Sequence, residues 1–137
     1  MRSEFFSHAM SGRTLASLLT QFGDHGTMGR REITFTAMGG AYNKVAEDAT
    51  AFAHRSECFL LEHIADAADP WVDRSWAIAH ADGSGRVYPN FPDPALDDWG
   101  SAYHAGNHPG WQRSRTPMTR TDSSTFPKPS DHSEGET

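Results

Sequence analysis

The chain holds a single cysteine, Cys58, in 137 residues. One thiol cannot form an intramolecular disulfide, and it cannot build a zinc cage that needs several cysteines. Long apolar runs are also lacking. None approaches the roughly 18 residues a bilayer-spanning helix requires, and the mean hydropathy is −0.64. The start, Met1-Arg2-Ser3-Glu4-Phe5-Phe6, has no apolar stretch of signal-peptide length behind its basic residue. The expectation is a cytoplasmic protein without a membrane partner. Basic charge is short as well: 12 Lys and Arg stand against 18 Asp and Glu, for a net charge of −6. They are scattered, whereas nucleic acid requires a concentrated basic footprint, so no nucleic-acid partner is expected.

From Gly110 to Thr137 there is no Leu, Ile or Val, and the composition is mainly Ser, Thr, Arg, Pro and acid. Such a stretch cannot bury enough apolar surface to offset chain entropy, so 110–137 is expected to be a disordered tail. The foldable part, about 1–109, is one domain at most, near the size where a single core becomes marginal.

Within it, Leu15, Leu18, Leu19 and Phe22 recur at helical spacing behind Ser11, a candidate N-cap, which predicts a helix over 13–22 lying on a sheet. Residues 32–37 alternate polar and apolar and read as a half-covered strand ended by Gly39-Gly40. The apolar run 57–64 reads as a central strand. Asp69 as N-cap and Pro70 at the first helical position open a helix with Val72, Trp76 and Ala79 on one face. A turn follows at 82–85, then an extended segment, 86–91, whose Pro89 and Pro92 exclude a fully paired central strand. Leu96, Trp99 and Tyr103 predict a last helix over 94–105. The order α-β-β-α-β-α, without a glycine-rich phosphate loop, gives an α+β fold: an antiparallel sheet backed by helices.

Several groups invite chemistry. His104 and His108 have the spacing of two ligands on one helical face, but Gly106 and Pro109 break that end and no third ligand is evident, so no metal is expected. The turn 82–85 lacks both the lysine of a phosphate loop and the spaced acids of a calcium loop. Cys58, inside the run 57–64, is expected to be buried and inert. Glu62 and His63 must face opposite sides of their strand, and a carboxylate on a central strand costs free energy unless it is paired or lines a pocket. Glu62 is therefore a candidate pocket residue, and exposure of the pair at a strand end is an equal reading of the same residues. In Tyr88-Pro89-Asn90-Phe91-Pro92-Asp93 the prolines hold the chain extended, and alternation projects Tyr88 and Asn90 to one side, Pro89 and Phe91 to the other. A carboxamide there can bond a polar ring edge, and a tyrosine tuned from its reference pKa of about 10 can accept a hydroxyl proton. An edge strand with a packed tyrosine is the plainer reading of the same spacing.

The run Gly85-Arg86-Val87-Tyr88-Pro89-Asn90-Phe91-Pro92-Asp93, followed by Asp97-Asp98-Trp99, Ala102-Tyr103-His104 and Gly106-Asn107, resembles the C-terminal segment of berberine-bridge-enzyme-like FAD-linked oxidoreductases. That family reads Y-x-N-Y-P-D, then D-W, then A-Y-Y-G-x-N. Upstream, Met38-Gly39-Gly40-Ala41 and Ala49-Thr50-Ala51-Phe52-Ala53-His54-Arg55 look like its M-G-G-A and A-T-A-F-x-H-R, and Ser3-Glu4-Phe5-Phe6 is similar to a segment of its substrate domain. The likeness runs in family order over about 2–109.

The resemblance implies hydride transfer from an alcohol, sugar or related carbon centre to FAD, with O2 as the usual acceptor. It implies a fold in which a vanillyl-alcohol-oxidase-type FAD module is joined to an α+β substrate domain. Tyr88 falls on the family's catalytic-base tyrosine and Asn90 on the asparagine near the flavin. Phe91 replaces the second tyrosine, whose hydroxyl is absent here. His54 and Arg55 fall on the H-R pair, with a pocket-side or structural role, and Glu62 joins them as a substrate-pocket residue. On this reading 1–86 is a partial substrate domain and 87–109 the berberine-bridge-enzyme-like C-terminal segment. The FAD module and its flavin-attachment residues would precede the region that begins here, so the expectation is a C-terminal fragment, inactive alone, whose partners are that module and a small-molecule substrate. A separately encoded FAD module docking with the chain is a further possibility, and a small autonomous α+β binding module is the reading from another class.

The tail adds a codon argument. Read in the frame that joins each codon's last base to the next codon's first two, Trp111 and Gln112 force Ala, and Met118 and Thr119 force Asp. A permitted reading ends Y-D-P-D-G-F-F-H-F-P-Q-A-V and a stop, which resembles the family's ending. One base lost after His108 would produce the switch, so 110–137 is expected to be out of frame.

Overall fold

The computed structural model describes residues 1–24, 29–67 and 69–110. Of the tail expected to be disordered and out of frame, all but Gly110 lies outside the described residues. The described chain is an α+β fold: β1 (Arg2–Phe6), α1 (Gly12–Phe22), β2 (Arg31–Ala37), β3 (Phe59–Ala65), α2 (Trp71–His80) and α3 (Trp99–His104), with single 3-10 turns at Tyr42–Lys44 and Ala105–Asn107. The three strands form one antiparallel sheet in the order β1-β3-β2, so the apolar run expected to be central is central. Among the described residues no helix is long and apolar enough to cross a membrane.

The register sorts the side chains. His63 of β3 stands between Arg2 and Ile33, and Leu61 between Glu4 and Phe35, on one face; Leu60 stands between Phe5 and Thr36, and Glu62 between Ser3 and Thr34, on the other. The first face receives the helices: Phe6 and Leu61 pack with Leu18 of α1 and Ala79 of α2 in a fully buried cluster. The second face receives loops, and that is where the functional candidates gather.

Four expectations are corrected. The third strand is β1, and residues 86–91 form none. The backbone of 84–86 runs beside β1, with Phe5 N donating to Arg86 O (2.8 Å) and Ser84 N to Phe5 O (2.9 Å). Pro89 and Pro92 then end any ladder, because neither has an N–H to donate. The last helix is cut to Trp99–His104, since the Asp98 side chain accepts from Ser101 N and starts the helix there. Trp99 is exposed rather than part of a core face. In α2 the inward residues are Trp71, Val72, Ser75 and Ala79, while Trp76 is half-buried under the Arg2 guanidinium, 3.5 Å from its ring centre. Cys58 lies before β3 rather than within it; its side chain is exposed, and its thiol donates to Ser7 O (3.1 Å).

The cap of α1 is as expected, whereas α2 starts one residue later, with Pro70 rather than Asp69 at the cap and Trp71 as the first helical residue. Ser11 caps α1 by accepting from Thr14 N, and Asp69 accepts from Trp71 N at 2.9 Å while its other oxygen takes Arg31 Nε at 3.0 Å. Of the apolar face of α1, Leu18 is buried, whereas Leu15, Leu19 and Phe22 remain exposed.

Candidate functional site

Two loops and a turn build the second face. The first loop, 48–55, is braced by Arg55, whose guanidinium donates to Phe52 O, Tyr42 O and Thr50 Oγ1 and lies over the rings of Tyr42 and Phe52. His54 is fully buried and stacks on Phe5 at 4.6 Å between centroids. Its Nε2–H donates to Tyr103 O (2.8 Å), which ties the loop to α3. Burial pushes its pKa down to about 4 against the help of that bond, so the ring is neutral at ordinary pH. His54 and Arg55 are thus structural members of the loop, and neither is among the residues lining the cavities described next.

Residues 88–91 form a turn, closed by Phe91 N donating to Tyr88 O at 3.0 Å, with Pro89 supplying the fixed φ that a first central turn position favours. This replaces the extended geometry expected there. The turn still brings the expected pair together: Asn90 Nδ2 donates to Tyr88 Oη at 3.0 Å. It also moves Phe91, expected on the opposite side, onto the same side, edge-on to Tyr88 at 5.0 Å.

Tyr88 and Phe52 border two cavities. The larger, about 730 Å³, is an open cleft whose walls include Asp48, Thr50, Asn90, His104 and Asn107. Asn107 Nδ2 donates to Glu47 O and Thr50 O, fixing that wall to the loop. The smaller, about 360 Å³, lies against the sheet and is lined by Phe5, Thr36, Met38, Tyr42, Leu60, Glu62 and Phe91 besides the shared pair. Of the five site residues expected from sequence, Tyr88 lines both cavities, Asn90 the larger and Glu62 the smaller. Burial raises the Glu62 carboxyl pKa, the Glu32 charge adds to this, and a hydrogen bond from the Thr36 hydroxyl partly offsets it. His63, on the helix side, is fully buried with Nδ1 on Ser75 Oγ at 2.8 Å; burial and the nearby Arg2 charge push its pKa down to about 4.

Chemically, the Tyr88 oxygen already accepts one hydrogen bond from an amide. Glu62 provides a second proton acceptor, closer to neutral than a solvated carboxylate. For a flavin, the cleft offers Asn90 and Tyr88 to one polar ring edge. Among the described residues it offers the diphosphate no free helix start: those of α1, α2 and α3 are already taken by the carboxylates of Asp82, Asp69 and Asp98. The residues present therefore fit the ring end of FAD and not its other half. Among the described residues no cluster of His, Cys, Asp or Glu could hold a metal ion.

Sequence reasoning passed over Tyr42 and Phe52. Phe52 is a lone aromatic among small residues in Ala49-Thr50-Ala51-Phe52-Ala53, a signal for a ring set into a wall rather than a core. Tyr42 follows Gly39 and Gly40, whose φ of 141° and 65° turn the chain back over the sheet. Comparison of the sequence with protein-family models and with curated proteins finds no match.

Proposed function

We propose that this chain is the C-terminal part of a berberine-bridge-enzyme-like FAD-linked oxidoreductase, one that oxidises an alcohol, sugar or related carbon centre, and that it has no activity alone. The observation that carries the reading is the place of Tyr88: it lines both cavities, its hydroxyl accepts from Asn90, and Glu62 lines the smaller cavity with it. FAD, when bound, supplies the hydride acceptor. The Tyr88 oxygen, steadied by Asn90 Nδ2 while it is deprotonated, takes the proton of the substrate hydroxyl and becomes a neutral phenol. Glu62 offers the proton a second resting place. Asp48, Thr50 and Asn107 shape the cleft beside them.

Two features of the surface support a missing module. The outer edge of β2 is unpaired among the described residues. Leu19, Phe35 and Trp99 are 57%, 50% and 44% exposed, a large outlay of apolar side chain for so small a fold.

The test is co-expression with the reading frame upstream of Met1. The expected result is a yellow complex in which Tyr88→Phe leaves the flavin bound but slows its reduction by an alcohol about 10²-fold or more, the usual scale for losing a general base. Failure to form the complex, or an unchanged rate in Tyr88→Phe, overturns the reading. Sequencing the DNA after His108 tests the frame argument by itself.

An autonomous binding module has one observation in its favour. Arg2 Nε pairs with Asp93 at 2.7 Å, both nearly buried, so the described segments are closed upon one another. That reading requires a cooperative melt without a partner and no binding of a hydrophobic dye.

A further inference from the structure

The loop 48–55 and the turn 88–91 face each other across the site, Phe52 from the one and Tyr88 from the other, with ring centres 6.2 Å apart. Among the described residues no hydrogen bond joins the two directly. Each is bonded to α3 or the turn behind it instead.

Two neighbouring residues of α3 hold the segment that carries Tyr88 at both its ends. Ala102 O accepts from Val87 N at 2.9 Å, and Tyr103 Oη accepts from Asp93 N at 2.6 Å. The loop hangs from the same place. Tyr103 O accepts from His54 Nε2 at 2.8 Å, and beyond the helix end Asn107 Nδ2 bonds Glu47 O and Thr50 O. Tyr103 therefore meets both walls: its carbonyl holds the loop, and its hydroxyl holds the segment opposite.

Between the two clamped ends the chain has little slack. Pro89 and Pro92 each fix a φ, and Phe91 N closes on Tyr88 O at 3.0 Å. Asp93 is buried, and its carboxylate is already taken by Arg2 Nε and Ala95 N, so the Tyr103 hydroxyl is the group that serves its N–H. Deleting that hydroxyl strands the N–H at a cost, which a shift of the segment relieves.

Resting on the reading of Tyr88 as the proton acceptor and deepening it, we infer that Tyr103 is a positioning residue for Tyr88. By holding Asp93 N, the Tyr103 hydroxyl sets the Tyr88 ring against Phe52 and brings Asn90 Nδ2 to the Tyr88 oxygen. A displacement of about 1 Å at a reacting group can cost about 10²-fold in rate, so a residue that touches no substrate still governs the reaction.

The test is Tyr103→Phe, which keeps the ring and deletes the bond. In the full chain with isotope-labelled aromatic rings, nuclear Overhauser contacts are recorded for Phe52–Tyr88 and Tyr88–Phe91, with the Phe6–Phe59 stack on the helix face, 4.6 Å between centres, as internal reference. The expected result is that Tyr103→Phe weakens both Tyr88 contacts and keeps the reference, whereas Leu18→Ala, which lowers stability from the helix face, keeps both Tyr88 contacts. Unchanged contacts in Tyr103→Phe, loss of the reference along with them, or the same weakening in Leu18→Ala overturns the inference, as does a wild-type chain without the Phe52–Tyr88 contact. None of this needs flavin. In the yellow complex of the co-expression experiment, Tyr103→Phe is expected to slow flavin reduction at saturating alcohol about tenfold or more while the half-saturating concentration stays within about twofold. An unchanged rate there overturns the inference, whereas failure of the complex to form counts against the flavin reading and leaves the ring contacts to decide the role of Tyr103.

Discussion

Acid should unfold this protein through two histidines, and His63 allows the effect to be isolated. His54 and His63 are both fully buried, and burial holds each pKa down to about 4, against about 6.5 in an unfolded chain. A histidine with a depressed folded pKa binds its proton more readily when unfolded. Its stabilising contribution is complete above pH 6.5 and is lost as pH falls toward 4. At about 1.4 kcal/mol per pH unit for each group, the loss over that window is about 3 kcal/mol per histidine. Together they approach the lower end of the roughly 5–15 kcal/mol that holds a small domain folded. The buried Glu4 and Glu57 act in the opposite sense, because burial raises their folded pKa and acid relieves their charge. The informative quantity is therefore a difference between wild type and His63→Asn, in which the amide can still bond Ser75 Oγ. Urea unfolding followed by tryptophan fluorescence between pH 7.5 and 4 should show His63→Asn losing about 3 kcal/mol less than wild type across the window. Parallel pH curves for the two proteins would refute the reasoning.

Other consequences are checked more simply. Leu61→Ala removes a fully buried side chain from the centre of the sheet and should lower stability by about 2–5 kcal/mol, read from the urea midpoint. Gly83→Ala would drive a methyl group into the Glu4 carboxylate, so it should destabilise by at least about 1 kcal/mol, whereas Gly12→Ala, with open space around it, should not. Cys58 is exposed, so Ellman's reagent should titrate one thiol in the native protein without urea; labelling that waits for denaturant would contradict its placement.

Much of the fold was legible because it follows local rules. The helix of 12–22, the strands of 31–37 and 59–65 and the helix start just past Asp69 all come from periodicity and capping that the residues carry themselves. β1 was not legible for the opposite reason. Ser3, Glu4, Phe5 and Phe6 are all buried, so there is no alternation to read, and two polar residues in four masked an apolar run. Glu4 is tolerated inside only because His80 Nδ1 and Gly85 N, far along the chain, both bond its carboxylate. The site divides likewise. Tyr88 and Asn90 were found through their spacing, although a turn rather than an extended strand unites them. Glu62 was found through the cost of burying a carboxylate. Tyr42 needed the loop to fold over β3 before its place could be seen.

The position of β1 also sets the order in which the molecule can assemble. Its partners on one side are Phe59–His63 and on the other Ser84–Arg86, and Gly85 N reaches Glu4 across 81 residues. During synthesis Arg2–Phe6 must therefore wait, apolar and unpaired, until both later segments have emerged. Sequence-distant pairing of this kind slows closure of a fold, and it leaves Phe5 and Phe6 open to wrong partners meanwhile. A chaperone that binds short aromatic segments would find its target in Arg2–Phe6.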